Sequence, residues 1–338
     1  MARPVDPWDR PVLVAPDSFK GTFSSATVAA AVGRGLERAG VTPPPDLCPL
    51  ADGGEGTMSV LLTALGGETA GARVRDPLGR EVLSSFALVE DGGTAIVEVA
   101  AASGWAHVSD EERGPDTAWA ASSVGTGDLV AAAVDAGAEV VLVAAGGSAT
   151  TDGGAGAITA IQEHGGLRGA SLVVLCDVRI AFERAAAVFG PQKGADAPTV
   201  DRLTRRLAAF AETLPRDPRG VPGGGAAGGL AGGLHAAFGA TLEPGAPFVL
   251  QALDVDARMR EARAVVVGEG RLDRTTLEGK IAGELAIRAR QAGVPAHAVV
   301  GRREIDPFDV RILDLQAIEE ASTLAEIEAA GARIAAFL

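Results

Sequence analysis

Apolar positions at the two ends of the chain repeat one pattern, a short fully apolar run followed by a turn and a helix-period stretch. Pro11–Pro16 reads as a buried parallel strand, Asp17–Thr22 as the turn after it, and about Ser24 to Ala39 as a helix. Pro43–Pro45 separates this unit from a second short strand, Leu47–Leu50, which runs into the acidic, glycine-rich turn ADGGEGT and a helix over Met58–Leu65. The far end predicts a strand at Ala264–Gly268, a helix near Ala282–Ala292, strands at Ala296–Val300 and Ile312–Ile318, and a last helix from Ser322. Together the ends supply five parallel strands.

The middle follows a different period. Over Ala72–Val99, alternating apolar and polar residues in ARVRD, EVLSSFALVE and TAIVEVA are broken by PLG and DGG turns. Such short connections join antiparallel strands, because a parallel crossover needs a dozen residues or more. A helix at Leu129–Ala136, a strand at Val140–Ala144, a helix after GGSATTDGG, a strand at Leu172–Cys176 and a polar helix at Thr199–Leu214 follow. The pattern predicts an α/β protein in two domains. A discontinuous parallel-sheet domain spans 1–68 plus 256–338, and an inserted second α/β domain with a mixed or antiparallel sheet spans 69–255. The stretch GGGAAGGLAGG at 223–233 has Ala and Leu interleaved, so close helix packing and a phosphate-approaching loop both remain open for it.

Composition narrows the function. With 338 residues, 47% hydrophobic residues, 45 Gly and no Tyr, the interior is filled by Ala, Val, Leu and Gly. The net charge of −14 comes without a dense basic block, which excludes the electrostatic footprint of a nucleic-acid or anionic-membrane binder. Any anionic ligand is therefore held by local groups. Cys48 and Cys176 each sit in an apolar, strand-like run without metal-type spacing and read as buried thiols. MARPVDPWDR carries no apolar leader and no stretch is long and apolar enough to cross a bilayer, so a cytoplasmic location is the expectation. The four histidines are scattered, and Trp8, Trp105 and Trp119 form no stacking platform.

The candidate chemistry lies in loops that follow strands, where parallel α/β sheets bind ligands. APDSFKG brings Asp17, Ser18 and Lys20 before a helix N-terminus, a favourable place for a phosphate or carboxylate; a capped turn with a solvated lysine is the bland alternative. ADGGEGT sets Asp52 and Glu55 beside Gly53 and Gly54, as a general base, a metal carboxylate, or an acidic turn. GGSATTDGG at 146–154 exposes consecutive N–H groups at Gly147 and adds the hydroxyls of Ser148, Thr150 and Thr151. SVGTG at 123–127 is a weaker version. Asp177 ends a strand and is placed to hold Mg²⁺ or cap a helix, and FGPQKGA offers Gln192 and Lys193 in a restrained loop. VVVGEGRLD adds Glu269, Arg271 and Asp273, with Lys280 beyond. Neither G-x-G-x-x-G nor G-x-x-x-x-G-K-[ST] is present, and Ser148 lacks a G-x-S-x-G setting.

Taken in order, APDSFKG at 15–21, PLADGGEGT at 49–57, DPLGR at 76–80, AAASG at 100–104, SVGTGDL at 123–129, GGSATTDGGAG at 146–156, CDV at 176–178, FGPQKGA at 189–195, PGGGAAGGL at 222–230 and VVGEGRLD with GK at 266–280 resemble the glycerate kinase family. The resemblance covers nearly the whole chain. It implies ATP- and Mg²⁺-dependent phosphorylation of glycerate, usually to 2-phosphoglycerate, by a protein with a flavodoxin-like domain and an active site in the cleft between domains. It also implies Lys20, Asp52, Glu55 and Asp177 as catalytic residues. Asp17, Ser18, Gly53, Gly54, Gly147, Ser148, Thr150, Gln192, Lys193 and Arg271 would line substrate or phosphate, and Asp177, Glu269 and Asp273 the metal. Partners are then glycerate and a nucleotide, with no nucleic acid or membrane; a homodimer is left open. The chain departs from the pattern at EHGGLRGAS (163–171), which replaces a longer insertion, at RIAF (179–182) and at GRRE (301–304). A kinase for a related sugar acid and a non-catalytic anion-binding relative are the competing readings.

Overall fold

The apolar runs at the chain ends are too short and too uniformly apolar to be surface helices, and each is buried in a sheet. The computed structural model describes residues 9–338; Trp8 and the seven residues before it, discussed above, lie outside them. Among the described residues there are eleven strands: β1 (Val12–Pro16), β2 (Asp46–Leu47), β3 (Glu68–Arg75), β4 (Glu81–Val89), β5 (Thr94–Glu98), β6 (Val140–Ala144), β7 (Ser171–Cys176), β8 (Thr241–Pro244), β9 (Ala264–Leu272), β10 (Ala296–Arg303) and β11 (Leu315–Glu320). The chain divides into two compact units, residues 1–52 with 246–338, and residues 53–245. The sequence reading set these boundaries at 68 and 256. The helix Thr57–Leu65 packs along β4 and β5, which is why it goes with the inserted segment.

The first unit holds a five-stranded, wholly parallel sheet in the order β11-β10-β9-β1-β2. Counted within the unit this is the flavodoxin-like order 2-1-3-4-5, whose ligand crevice lies at the switch point between its first and third strands, here β1 and β9. The helix Ser25–Arg38, capped by Ser24, buries Val28, Val32 and Leu36, each contributing about 1.5–3 kcal/mol relative to exposure. It packs against the helix Leu324–Ile334 so closely that a Cβ on Gly35 would lie 2.0 Å from the Glu328 carbonyl oxygen. Small residues replace aromatics by letting backbones approach.

The second unit holds a six-stranded sheet in the order β3-β4-β5-β6-β7-β8. The β3, β4 and β5 pairings are antiparallel and the remaining ones parallel, a mixed sheet as the alternation over 72–99 requires. Helices Val124–Asp135 and Ala155–Glu163 cover it with Leu129, Val130, Ile158 and Ile161.

Some local expectations change. β2 is only two residues long, and Cys48 lies beyond it, its thiol accepting a hydrogen bond from the Arg258 guanidinium at 2.9 Å. The predicted strand Ile312–Ile318 splits into a helix, Pro307–Leu313, and β11. Asp306 caps that helix and Pro307 opens it, a start signal that the apolar run beside it masked. Both cysteines are buried and free, and burial pushes each thiol up to about 11.

Candidate active site

In the first unit, β1 delivers Asp17 to the carboxyl edge of the sheet. Its N–H donates to the Gly268 carbonyl at 2.8 Å, tying the turn to β9, and its carboxylate accepts from the Ser18 N–H at 2.7 Å. The Lys20 ammonium donates to Asp52 Oδ2 at 2.8 Å; Lys20 is exposed while the Asp52 carboxylate is buried. Burial, reinforced by the charge of Asp52, raises the Asp17 carboxyl to about 7, against the opposing pull of Lys20. Asp17 thus exchanges a proton in the neutral range.

β9 brings Glu269, Arg271 and Asp273 to the same edge. Glu269 accepts from the Thr276 hydroxyl at 2.7 Å and from Lys280 Nζ at 3.1 Å, and burial raises its carboxyl above the usual range. Lys280 also donates to Asp273 Oδ1 at 3.3 Å and to the Arg271 carbonyl at 3.2 Å. Asp273 in turn caps the short turn Arg274–Glu278 through Thr275. A cleft of about 430 Å³ opens here, lined by Asp17, Ser18, Lys20, Glu269, Arg271 and Lys280 among others.

In the second unit, β6 leads into the loop 145–154. Lys193, from the turn Pro191–Lys193, is buried beneath it and donates to Ser148 Oγ at 2.7 Å and to the Thr150 carbonyl at 2.6 Å. Burial lowers the ammonium to about 7; the negative charge of Asp152 acts the other way. Asp152 holds the loop together. Its carboxylate accepts from Ser123 N–H (2.9 Å), Ser123 Oγ (2.8 Å), Gly154 N–H (3.0 Å) and Gly156 N–H (3.1 Å). Behind the loop, Gly228 has φ +69, and a Cβ there would lie 1.9 Å from the Thr150 carbonyl oxygen. The glycine-rich stretch 223–233 therefore serves close packing. Glu98, at the end of β5, accepts from the Met58 N–H at 2.8 Å, and burial raises its carboxyl. Its charge sits at the N-terminus of the helix Thr57–Leu65, where the dipole favours it.

One unit therefore presents a carboxyl that titrates near neutrality beside a lysine, and the other a turn of small residues over a buried amine. The glycerate kinase family model matches residues 12–164 and 161–333. The chain belongs to the glycerate kinase family. It is 38% identical over 327 residues to the glycerate kinase of Bacillus subtilis, covering 86% of this chain and 84% of that protein. It is 34% identical over 325 residues to the glycerate 2-kinase of Escherichia coli, with coverage of 86% and 84%. The crystal structure of a glycerate kinase 2 from Salmonella typhimurium LT2 superposes with a TM-score of 0.80 at 32% identity, covering 97% of this chain and 98% of that one. The chain is thus a kinase, with ATP the cosubstrate its family implies.

For this glycerate kinase family member, the structure gathers Asp17, Ser18, Lys20, Asp52, Glu269, Arg271 and Asp273 at one sheet edge, and Ser148, Thr150 and Lys193 at another. Gly53 and Gly54 are buried in the turn before the helix Thr57–Leu65. Gly147 and Glu55 are exposed neighbours, a Cβ on the glycine falling 3.7 Å from Glu55 Oε2. Asp177 and Gln192 are also exposed, and neither bonds Lys193. Of the three carboxylates expected at the metal, two lie in the first unit. Glu269 and Asp273 share Lys280, Asp177 belongs to the other unit, and among the described residues no three His, Cys, Asp or Glu side chains converge on a metal position. Glu269 and Asp273, both held by Lys280, do not by themselves build a Mg²⁺ cage.

Sequence reasoning passed over Asp152, Ser123 and Glu98. Asp152 and Ser123 stand within quoted motifs, TTDGG and SVGTG, yet their contact spans 29 residues, which neither motif signals alone. Glu98 closes an apolar strand and looks like an ordinary strand end.

Proposed function

We propose that the protein transfers the γ-phosphoryl group of ATP to the 2-hydroxyl of D-glycerate, giving ADP and 2-phosphoglycerate. The observation that carries this reading is Asp17, a buried carboxyl titrating at about 7 beside the Lys20–Asp52 pair. A hydroxyl attacking phosphorus must lose its proton, and a base matched to the working pH is the efficient acceptor. The hydroxyl oxygen forms the new bond to phosphorus, the bond to the β–γ bridging oxygen breaks, ADP departs, and the proton passes to Asp17.

Asp17 takes the role of base that the sequence offered to Asp52 or Glu55. Asp52, already bonded to Lys20, fixes the lysine and raises the affinity of Asp17 for a proton. Lys20 neutralises charge on the transferring oxygens. In the second unit the Gly147–Thr150 turn, with Lys193 behind Ser148, suits a small anion such as the glycerate carboxylate. Lys20→Ala and Ser148→Ala are each expected to lower kcat/KM. The name of the Escherichia coli relative supports the 2-position.

A panel of hydroxy and sugar acids at fixed Mg·ATP tests the assignment. The highest kcat/KM falls on D-glycerate; a larger sugar acid turned over better would replace it as substrate.

A further inference from the structure

Strands β9 and β10 run past the end of the sheet they belong to. β1 and β9 stay paired only as far as Pro16 opposite Gly268, whereas β9 and β10 continue to Arg271 opposite Arg302 and Leu272 opposite Arg303. The overrun thus sets two arginines side by side on neighbouring strands. Like charges in that relation repel and destabilise a sheet unless an anion lies against them.

The cations of the cleft differ in how they are neutralised. Lys20 is bonded to Asp52, and Lys280 to Glu269 and Asp273. Among the described residues Arg271 pairs only with Glu304, at 3.7 Å with both side chains largely exposed, which is worth little in water. Arg302 forms no ion pair among the described residues. Both arginines line the 430 Å³ cleft at the β1/β9 switch point. The residue just before each is a glycine, and the two strands lie so close there that a Cβ on Gly301 would fall 2.5 Å from the Gly270 carbonyl oxygen.

A volume of this order suits a ligand of nucleotide size and greatly exceeds a three-carbon acid. A separate small-anion turn lies at Ser148 and Lys193 of the second unit. Two neighbouring guanidinium groups match a chain of phosphates, each able to take oxygens in fork geometry. We propose that this cleft of the flavodoxin-like unit binds the nucleotide by its phosphates, held by Arg271 and Arg302. The inference rests on the phosphotransfer reading above and adds where the nucleotide sits and what fixes it.

The test is isothermal titration of the full-length protein with ADP, and separately with adenosine, for wild type, Arg302→Ala and Arg271→Ala. Both arginines are exposed, so the variants fold, and circular dichroism verifies it. Loss of one charge-assisted contact weakens ADP binding by about tenfold or more, while adenosine binding and the KM for D-glycerate stay unchanged. Arg302→Lys restores part of the ADP affinity. Unaltered ADP affinity in both variants overturns the proposal, as does a raised KM for D-glycerate with ADP binding intact. The ADP titration needs no acceptor acid, so its result stands apart from whether D-glycerate is the substrate.

Discussion

Replacing Lys193 by methionine removes a buried ammonium while keeping most of the side-chain volume, and its effect on stability depends on pH in a definite direction. Burial lowers this lysine from 10.5 to about 7. Between those values the unfolded chain carries a proton on Lys193 that the folded chain has shed, so unfolding takes up a proton and stability rises with pH. Below about 7 both states are protonated and the burial penalty is felt in full. Each unit of displacement is worth about 1.4 kcal/mol, so the whole window spans about 4–5 kcal/mol and the accessible part, from pH 7 to 9, about 2–3 kcal/mol. The assay is urea unfolding of wild type and Lys193→Met at several pH values, comparing the two. Other titrating groups cancel in that difference, and the lost bonds to Ser148 and Thr150 add an offset that does not vary with pH. Wild type should gain about 2–3 kcal/mol on the variant from pH 7 to 9. Parallel stability curves would refute the claim that Lys193 is a neutral-range amine, and with it the picture of a turn closed over a lysine that sheds its proton near neutrality.

Three further outcomes follow from the same geometry. Asp17→Asn should abolish turnover yet raise stability at pH 8 by about 2–4 kcal/mol, because a carboxyl held at about 7 disfavours the folded state as pH climbs from 3.8 through 7; calorimetric melting and ADP release check the two halves. The kcat/KM profile of wild type should show an acid limb near pH 7, moved down by Asp52→Asn and up by Lys20→Ala, since the first removes a repelling charge and the second an attracting one. Asp152→Asn should cost about 2–4 kcal/mol in urea, by weakening four hydrogen bonds to a buried carboxylate, and Gly228→Ala a similar amount, by pushing on the Thr150 carbonyl, each with a fall in kcat.

What the sequence disclosed depended on how far apart the cooperating residues lie. The parallel strands at both ends, the meander over β3 to β5 and the helix N-cap at Ser24 are written in short windows, and hydrophobic period alone places them. Lys20 and Asp17 stood out because a strand end and a turn share the heptapeptide 15–21, just ahead of the helix start at Ser24. Their coupling to Asp52 was beyond reach, since it depends on β1 and β2 lying side by side. Glu269 and Asp273 are placed at the metal by the family resemblance, and acidic residues after a strand fit that role. The return of Lys280 onto both is a tertiary event, and the nearby glycines gave no sign of it. The Pro307–Leu313 helix was lost to its own apolar content, which a strand template fits equally well over so few residues. Ser123, Glu98 and Arg302 share one reason for being missed: each acts through a neighbour distant in sequence.

The central claim is a phosphoryl transfer from ATP to D-glycerate, and the direct measurement is a ³¹P NMR time course of purified protein with Mg·ATP, with and without D-glycerate. The account predicts growth of a 2-phosphoglycerate signal in step with ADP, only when the acid is present, and its absence in Asp17→Asn. A folded wild-type protein that forms no phosphorylated acid, or that releases ADP equally without D-glycerate, would contradict it.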